Sequence, residues 1–220
     1  MKLIYRMAAG LLIIIIPFVA ITVSANILAR LPDVYSFQFA KSQITEEIDL
    51  AIRPAEIGAL FSSYLTGGTD EFQIISEYQG REQQIFTMRD QIGMFEARRH
   101  INWMLLFSIL AIIIVVLLSF WLIRVREKQM LRTAFKYCVG LFFIFWIMTL
   151  LAPTKDSFSA LLQKLIFTGG FGEESILGML LSDAFFDIWL TFTLVGSFIL
   201  LFIIGNIIWK FSKERRMFDY

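Results

Sequence analysis

Four stretches of the chain run apolar for about twenty residues each, over 7–29, 101–123, 134–152 and 184–209. Crossing about 30 Å of hydrocarbon takes roughly 20 helical residues, so each run is long enough to span a bilayer. None alternates apolar and polar positions as a barrel strand would, and an unclosed strand would strand its backbone polar groups in lipid. The pattern therefore predicts an all-α integral membrane protein, with four transmembrane helices in one membrane domain covering residues 1–220. The intervening stretches 30–100 and 153–183 are too long for tight turns and are expected to form two outer loops. The first run has a rival reading as a signal peptide, because Val23-Ser24-Ala25 resembles a cleavage site. Its length exceeds the usual apolar region of about 7–15 residues, which favours an anchor.

Shorter patterns organise the first loop. Ile44 to Ile48 opens a short helix with acids in its first turn. Pro54 sits where a second helix begins, Ile57, Leu60, Phe61 and Tyr64 form its apolar stripe, and Gly67-Gly68 ends it. Phe72 to Phe86 reads as a small hairpin, with Gly80 near the turn and Ile74 and Ile85 on its arms. Together these make an α-rich cap. In the second loop, 157–167 and 174–181 are helix-like, separated by glycines.

Charge adds orientation. Lys2 and Arg6, then Arg124, Arg126, Lys128, Arg132 and Lys136, then Lys210, Lys213, Arg215 and Arg216 make up eleven of the twenty Lys and Arg, all in short segments. The long loops hold the rest, diluted by most of the acids. The positive-inside rule then places both termini in the cytoplasm and both long loops outside, with Trp103 and Trp189 near the outer interface.

Composition excludes several classes. A 57% hydrophobic chain with a net charge of +1 has no basic, aromatic-interleaved patch for nucleic acid. The lone Cys138 cannot form an internal disulfide. The runs are almost free of acids and bases, which argues against an ion pathway. No metal-spaced His/Cys cluster, phosphate-cradling glycine loop or nucleophile elbow is present, so the sequence predicts no metal and no cofactor.

Chemistry is instead expected at the outer rim, where Phe86 to Arg99 leads into the second span. As a helix, Arg89, Gly93, Glu96 and His100 recur at i, i+4, i+7 and i+11 and share a face, while Met88, Ile92 and Phe95 form an apolar one. The simplest expectation is an amphipathic lead-in lying at the bilayer surface.

FTMRDQIGMFEAR, Phe86 to Arg98, resembles the segment F-T-x-R-E-x-x-H-M-x-D-V-K that ends the first outer loop in the bacterial lipoprotein intramolecular transacylase (Lit) family. Phe86, Thr87, Arg89 and Met94 match, and Asp90, Glu96 and Arg98 are conservative replacements. LQKLIF, Leu162 to Phe167, takes the place of that family's F-H-x-L-x-F, and Phe185-Phe186 fits a Phe pair opening its last span. The resemblance implies a bacterial cytoplasmic-membrane protein whose outer face handles a membrane lipid or lipoprotein. In that family an acyl chain moves from the lipoprotein's diacylglyceryl group to its N-terminal cysteine amine, with histidines moving the protons. Here Gly93 and Gln163 stand at the two histidine positions, and neither side chain is a base near neutral pH.

Three readings stay open. The first is a non-catalytic relative that binds a lipid, an acylated peptide or a membrane protein partner through Arg89, Gly93, Arg98, Gln163 and Phe167. The second is an active acyltransferase with its groups moved to Asp90, Glu96 and His100, Glu96 orienting the ring of His100 from one turn away. The third is an integral subunit of a larger membrane complex.

Overall fold

The computed structural model describes residues 2–47, 50–78, 80–150, 166 and 175–212. In order, these form α1 (Lys2–Leu28), α2 (Pro32–Ser42), α3 (Ile44–Glu47), α4 (Pro54–Thr66), β1 (Ile75–Tyr78), β2 (Arg81–Gln84), α5 (Met88–Arg124), α6 (Lys128–Leu150), α7 (Ile176–Leu180) and α8 (Asp183–Ser212). Helices α1, α5, α6 and α8 are long and apolar enough to cross a membrane.

Helix α5 corrects one expectation. Its 37 residues run without a break from Met88 to Arg124, so the stretch before the span is not a separate helix lying on the bilayer. At 1.5 Å per residue the rod is about 55 Å long, against about 30 Å of hydrocarbon. Even a tilted span needs less than this length, and the charges from Arg89 to His100 mark the projecting end.

Two compact units gather the chain, one from 1–24, 106–148 and 194–220, the other from 25–105 and 149–193. The first is packed around Leu12, Ile16, Leu122, Leu131, Cys138 and Phe142, all essentially buried. Gly196 allows a close approach there: a Cβ at that position would meet Ser24 Oγ, which would have to turn away.

In the second unit, local sequence sets the elements as expected. Pro54 supplies the fixed φ that suits a first helical turn, and Gly67 adopts φ +88° to cap α4, its N–H reaching Tyr64 O. Gly80, at φ +73°, turns the antiparallel hairpin β1–β2, in which Tyr78 pairs with Arg81. Helix α7 falls inside the helix-like 174–181 stretch, whereas the 157–167 helix and the end of the third predicted span lie outside the described residues, Ile166 excepted.

Aromatic rings form the core of this unit. Tyr35 stacks on Phe61 at 4.9 Å and on Phe185 at 5.6 Å. Phe61 meets Phe72 at 5.0 Å, and Phe72 meets Phe86 at 4.4 Å. Each such pair contributes about 0.5–1.5 kcal/mol beyond its burial. Together the contacts join α2, α4 and α8 to the residue that introduces α5, which fixes where the projecting end begins.

Candidate functional site

The projecting end of α5 is built from its first residues upward. Gln73 holds Phe86 from both sides: its Oε1 accepts from Phe86 N at 3.0 Å and its Nε2 donates to Phe86 O at 2.7 Å. Thr87 and Asp90 then cap the helix reciprocally. Asp90 Oδ2 accepts from Thr87 N at 3.0 Å and from Thr87 Oγ1 at 2.8 Å, while Thr87 Oγ1 accepts from Asp90 N at 3.2 Å. This satisfies amide donors that the first turn otherwise leaves open and puts a negative charge at the positive end of the helix dipole.

The other oxygen of Asp90 reaches across the sequence. Oδ1 accepts from the hydroxyl of Ser175, and Ser175 Oγ in turn accepts from Gly178 N at 3.0 Å as the N-cap of α7. Only 3% of Asp90 is exposed. Its carboxylate thus fastens two helix starts that lie 85 residues apart.

The face of α5 that packs inward is Asp90, Met94, Ala97 and Ile101, all buried and again spaced i, i+4, i+7, i+11. Met88, Ile92 and Phe95, the apolar face in the sequence, are instead 72, 54 and 60% exposed. Between the two lies the polar face. Arg89 is exposed, and Gly93, Glu96 and His100 follow it half-buried.

His100 is anchored to the second loop. Its Nδ1 lies 3.2 Å from Ile166 O. A carbonyl only accepts, so Nδ1 is the donor in this contact. Ile166 stands between Gln163 and Phe167 in sequence, and those two candidates lie outside the described residues.

Arg98 points elsewhere. Its guanidinium sits over the Tyr64 ring at 5.0 Å, donates to Thr69 O at 3.4 Å and lies 3.9 Å from the exposed Asp70. It braces the end of α4. A small cavity of about 30 Å³ lies beside Met94, Ala97 and Ile166, with Tyr35 and Phe186 in its walls. That is room for about one water, in apolar surroundings.

Sequence reasoning missed Ser175, Gln73 and the carbonyl of Ile166. The Thr87-x-x-Asp90 spacing does announce a helix start, but nothing local to Asp90 points to Ser175.

The comparisons bear on the whole arrangement. A structure of the membrane integral lipoprotein intramolecular transacylase Lit from Bacillus cereus superposes with a TM-score of 0.68, covering 96% of this chain and 98% of that one at 17% identity. The fold is that of the Lit transacylase. Structures of the same protein with a histidine-to-arginine and a histidine-to-alanine substitution match with TM-scores of 0.64, at 18% and 17% identity. No protein-family model and no curated protein matches the sequence. With its four apolar helices, this chain is a Lit-like integral membrane protein that passes the membrane several times. The fold expected from the resemblance at Phe86–Arg98 is the fold found.

Proposed function

We propose that the chain uses a transacylase-like scaffold to hold a membrane lipid or the acylated N-terminus of a lipoprotein at its outer face, without transferring the acyl chain. The observation that carries this reading is the pairing of two faces on the projecting end of α5. Met88, Ile92 and Phe95 offer an exposed apolar stripe, and beside it the polar face has Gly93 in place of a proton-transferring side chain. An apolar stripe on a part of the helix that extends beyond the span suits an acyl chain or a lipidated peptide. Asp90 is committed to capping, and Arg98 to bracing α4. In this reading both termini are cytoplasmic, and the cap faces outward from a bacterial cytoplasmic membrane. Arg89 and the loop residues Gln163 and Phe167 complete the contact surface.

One observation favours the active alternative. The Nδ1–H of His100 donates to a backbone carbonyl, which in the neutral ring leaves Nε2 able to accept a proton, and Glu96 lies one turn before it. The two readings part in a strain that lacks its own transacylase. With this chain supplied, the N-terminal peptide of a reporter lipoprotein should keep its mobile acyl chain on glycerol by mass spectrometry. An acyl chain found on the cysteine amine, and lost in His100→Ala, would establish the enzyme instead.

A further inference from the structure

A second ligand-shaped feature lies wholly among residues of the first unit, between α6 and α8. On α6, Arg132, Lys136 and Phe143 line one wall; on α8, Phe198, Phe202 and Trp209 line the other. With Val139 and Gly205, both sets follow the i, i+4, i+7, i+11 repeat of a single helix face. The helices run antiparallel here: Arg132 lies over the Trp209 ring at 4.9 Å at one end, and Phe143 meets Phe198 at 5.9 Å at the other. The space between them measures about 480 Å³. Gly205 lets the Phe135 ring pack closely against α8, since a Cβ there would sit 2.7 Å from it.

We propose that this groove holds one anionic phospholipid, its phosphate on Arg132 and Lys136 and one acyl chain along the phenylalanines. Length supports a lipid of a single leaflet. The eleven steps from Arg132 to Phe143 rise about 16 Å, which is about half of a 30 Å hydrocarbon core. Charge decides which lipid. Arg132 Nη2 donates to Ser212 O at 2.6 Å, but among the described residues its buried Nε has no hydrogen-bond partner. A buried guanidinium nitrogen without an acceptor is costly, and a phosphate oxygen is the acceptor that suits it. Lys136 is exposed one turn further along and adds a second positive charge. A zwitterionic headgroup would bring its own cation to the same place, so the site selects for net negative charge. This inference stands independently of whether the outer face transfers an acyl chain.

Trp209 reports on the groove directly. The chain is reconstituted in phosphatidylcholine vesicles containing a fixed fraction of lipid brominated on its acyl chains, either phosphatidylglycerol or phosphatidylcholine. The Trp209 signal is the difference between the parent and Trp209→Phe. Brominated phosphatidylglycerol should quench it preferentially, and Lys136→Gln should lower that preference about fivefold, as expected for one Lys or Arg near an anionic headgroup. Arg132→Gln should do the same or more, whereas Lys128→Gln, whose residue does not line the groove, should leave it unchanged. The hydrogen bond to Ser212 O comes from Arg132 and not from Lys136, so the Lys136 variant keeps the test sound even if Arg132→Gln loosens the end of α8. Equal quenching by the two lipids, a preference that survives Lys136→Gln, or an equal loss in Lys128→Gln would overturn the proposal.

Discussion

Removing the Asp90 carboxylate tests whether that residue is structural or chemical. Asp90→Ala deletes the acceptor for the Thr87 amide, the Thr87 hydroxyl and the Ser175 hydroxyl at once. Loss of a helix cap costs about 0.5–2 kcal/mol, and a buried donor left without an acceptor costs about 1–3 kcal/mol. Because these contributions overlap, a total near 3 kcal/mol is expected. A chain of this length shifts its midpoint by about 2–4 °C per kcal/mol, so the thermal midpoint in detergent should fall by about 6–12 °C. Asp90→Asn keeps one acceptor oxygen and should fall between parent and alanine. Ser175→Ala loses both the bond to Asp90 and the cap on Gly178, yet in the Asp90→Ala background only the cap remains to be lost. The double-mutant cycle should therefore show a coupling of about 1–2 kcal/mol. The readout is the monodisperse peak remaining after heating for a fixed time at a series of temperatures. A midpoint within 1 °C of the parent for Asp90→Ala, or strict additivity with Ser175→Ala, would refute the assignment and return Asp90 to the list of reacting groups.

Other expectations are shorter. Gly196→Ala should destabilise the chain because its new Cβ meets Ser24 Oγ, and Ser24→Ala should restore most of the loss, since Ser24 Cβ is a tolerable 3.4 Å away; thermal midpoints of the three variants check this. Arg98→Met should cost about 0.5–1 kcal/mol, mainly through the stacking on Tyr64, and high salt should change the difference little because Asp70 is fully exposed. Burial holds the Tyr35 phenol well above its usual range, with Arg30 offsetting part of the shift, and its hydroxyl donates to Ala29 O at 2.8 Å. A folded-state pKa raised in this way gives stability that is complete below about pH 10 and is lost as pH rises further. An ultraviolet titration of the folded chain to about pH 11 should thus be the same for Tyr35→Phe and the parent. Single cysteines at Glu71 and Lys128 should label from opposite sides of sealed vesicles, Glu71 from outside; labelling of both from one side would overturn the proposed orientation.

Much of this was legible along the chain because the physics involved is local. Twenty apolar residues in a row have few folds open to them, and the runs announced four spanning helices directly. Proline at the start of α4 fixes φ through its ring, and glycine at its end and Gly80 in the hairpin admit a positive φ for want of a Cβ, without help from distant residues. The loose match from Phe86 to Arg98 was enough to indicate the transacylase fold. Helix α2 went unread. Pro32 opens it, but its buried set includes Tyr35 and Gln38 beside Val34 and Phe39, so no clean apolar stripe marks it.

Which face of a helix turns inward was a different matter. In water an apolar stripe seeks the core, but lipid solvates apolar side chains as well as a protein interior does. Apolarity therefore lost its power to predict burial along the spans, where Leu106, Leu110 and Ile113 of α5 stand exposed, and the end before the span breaks the rule for another reason. Met88, Ile92 and Phe95 face out, while the packed face carries a carboxylate at Asp90. That carboxylate can be buried because Ser175, 85 residues away, supplies a hydroxyl to it. His100 likewise finds the acceptor for its Nδ1 in a carbonyl 66 residues on. The sequence by itself determined the four spans, the ends of α4 and the hairpin turn, since those follow from runs, caps and turns. Only the tertiary structure decided which polar groups are spent on holding the fold and which remain for a ligand, because each such hydrogen bond needs a partner that no local pattern supplies.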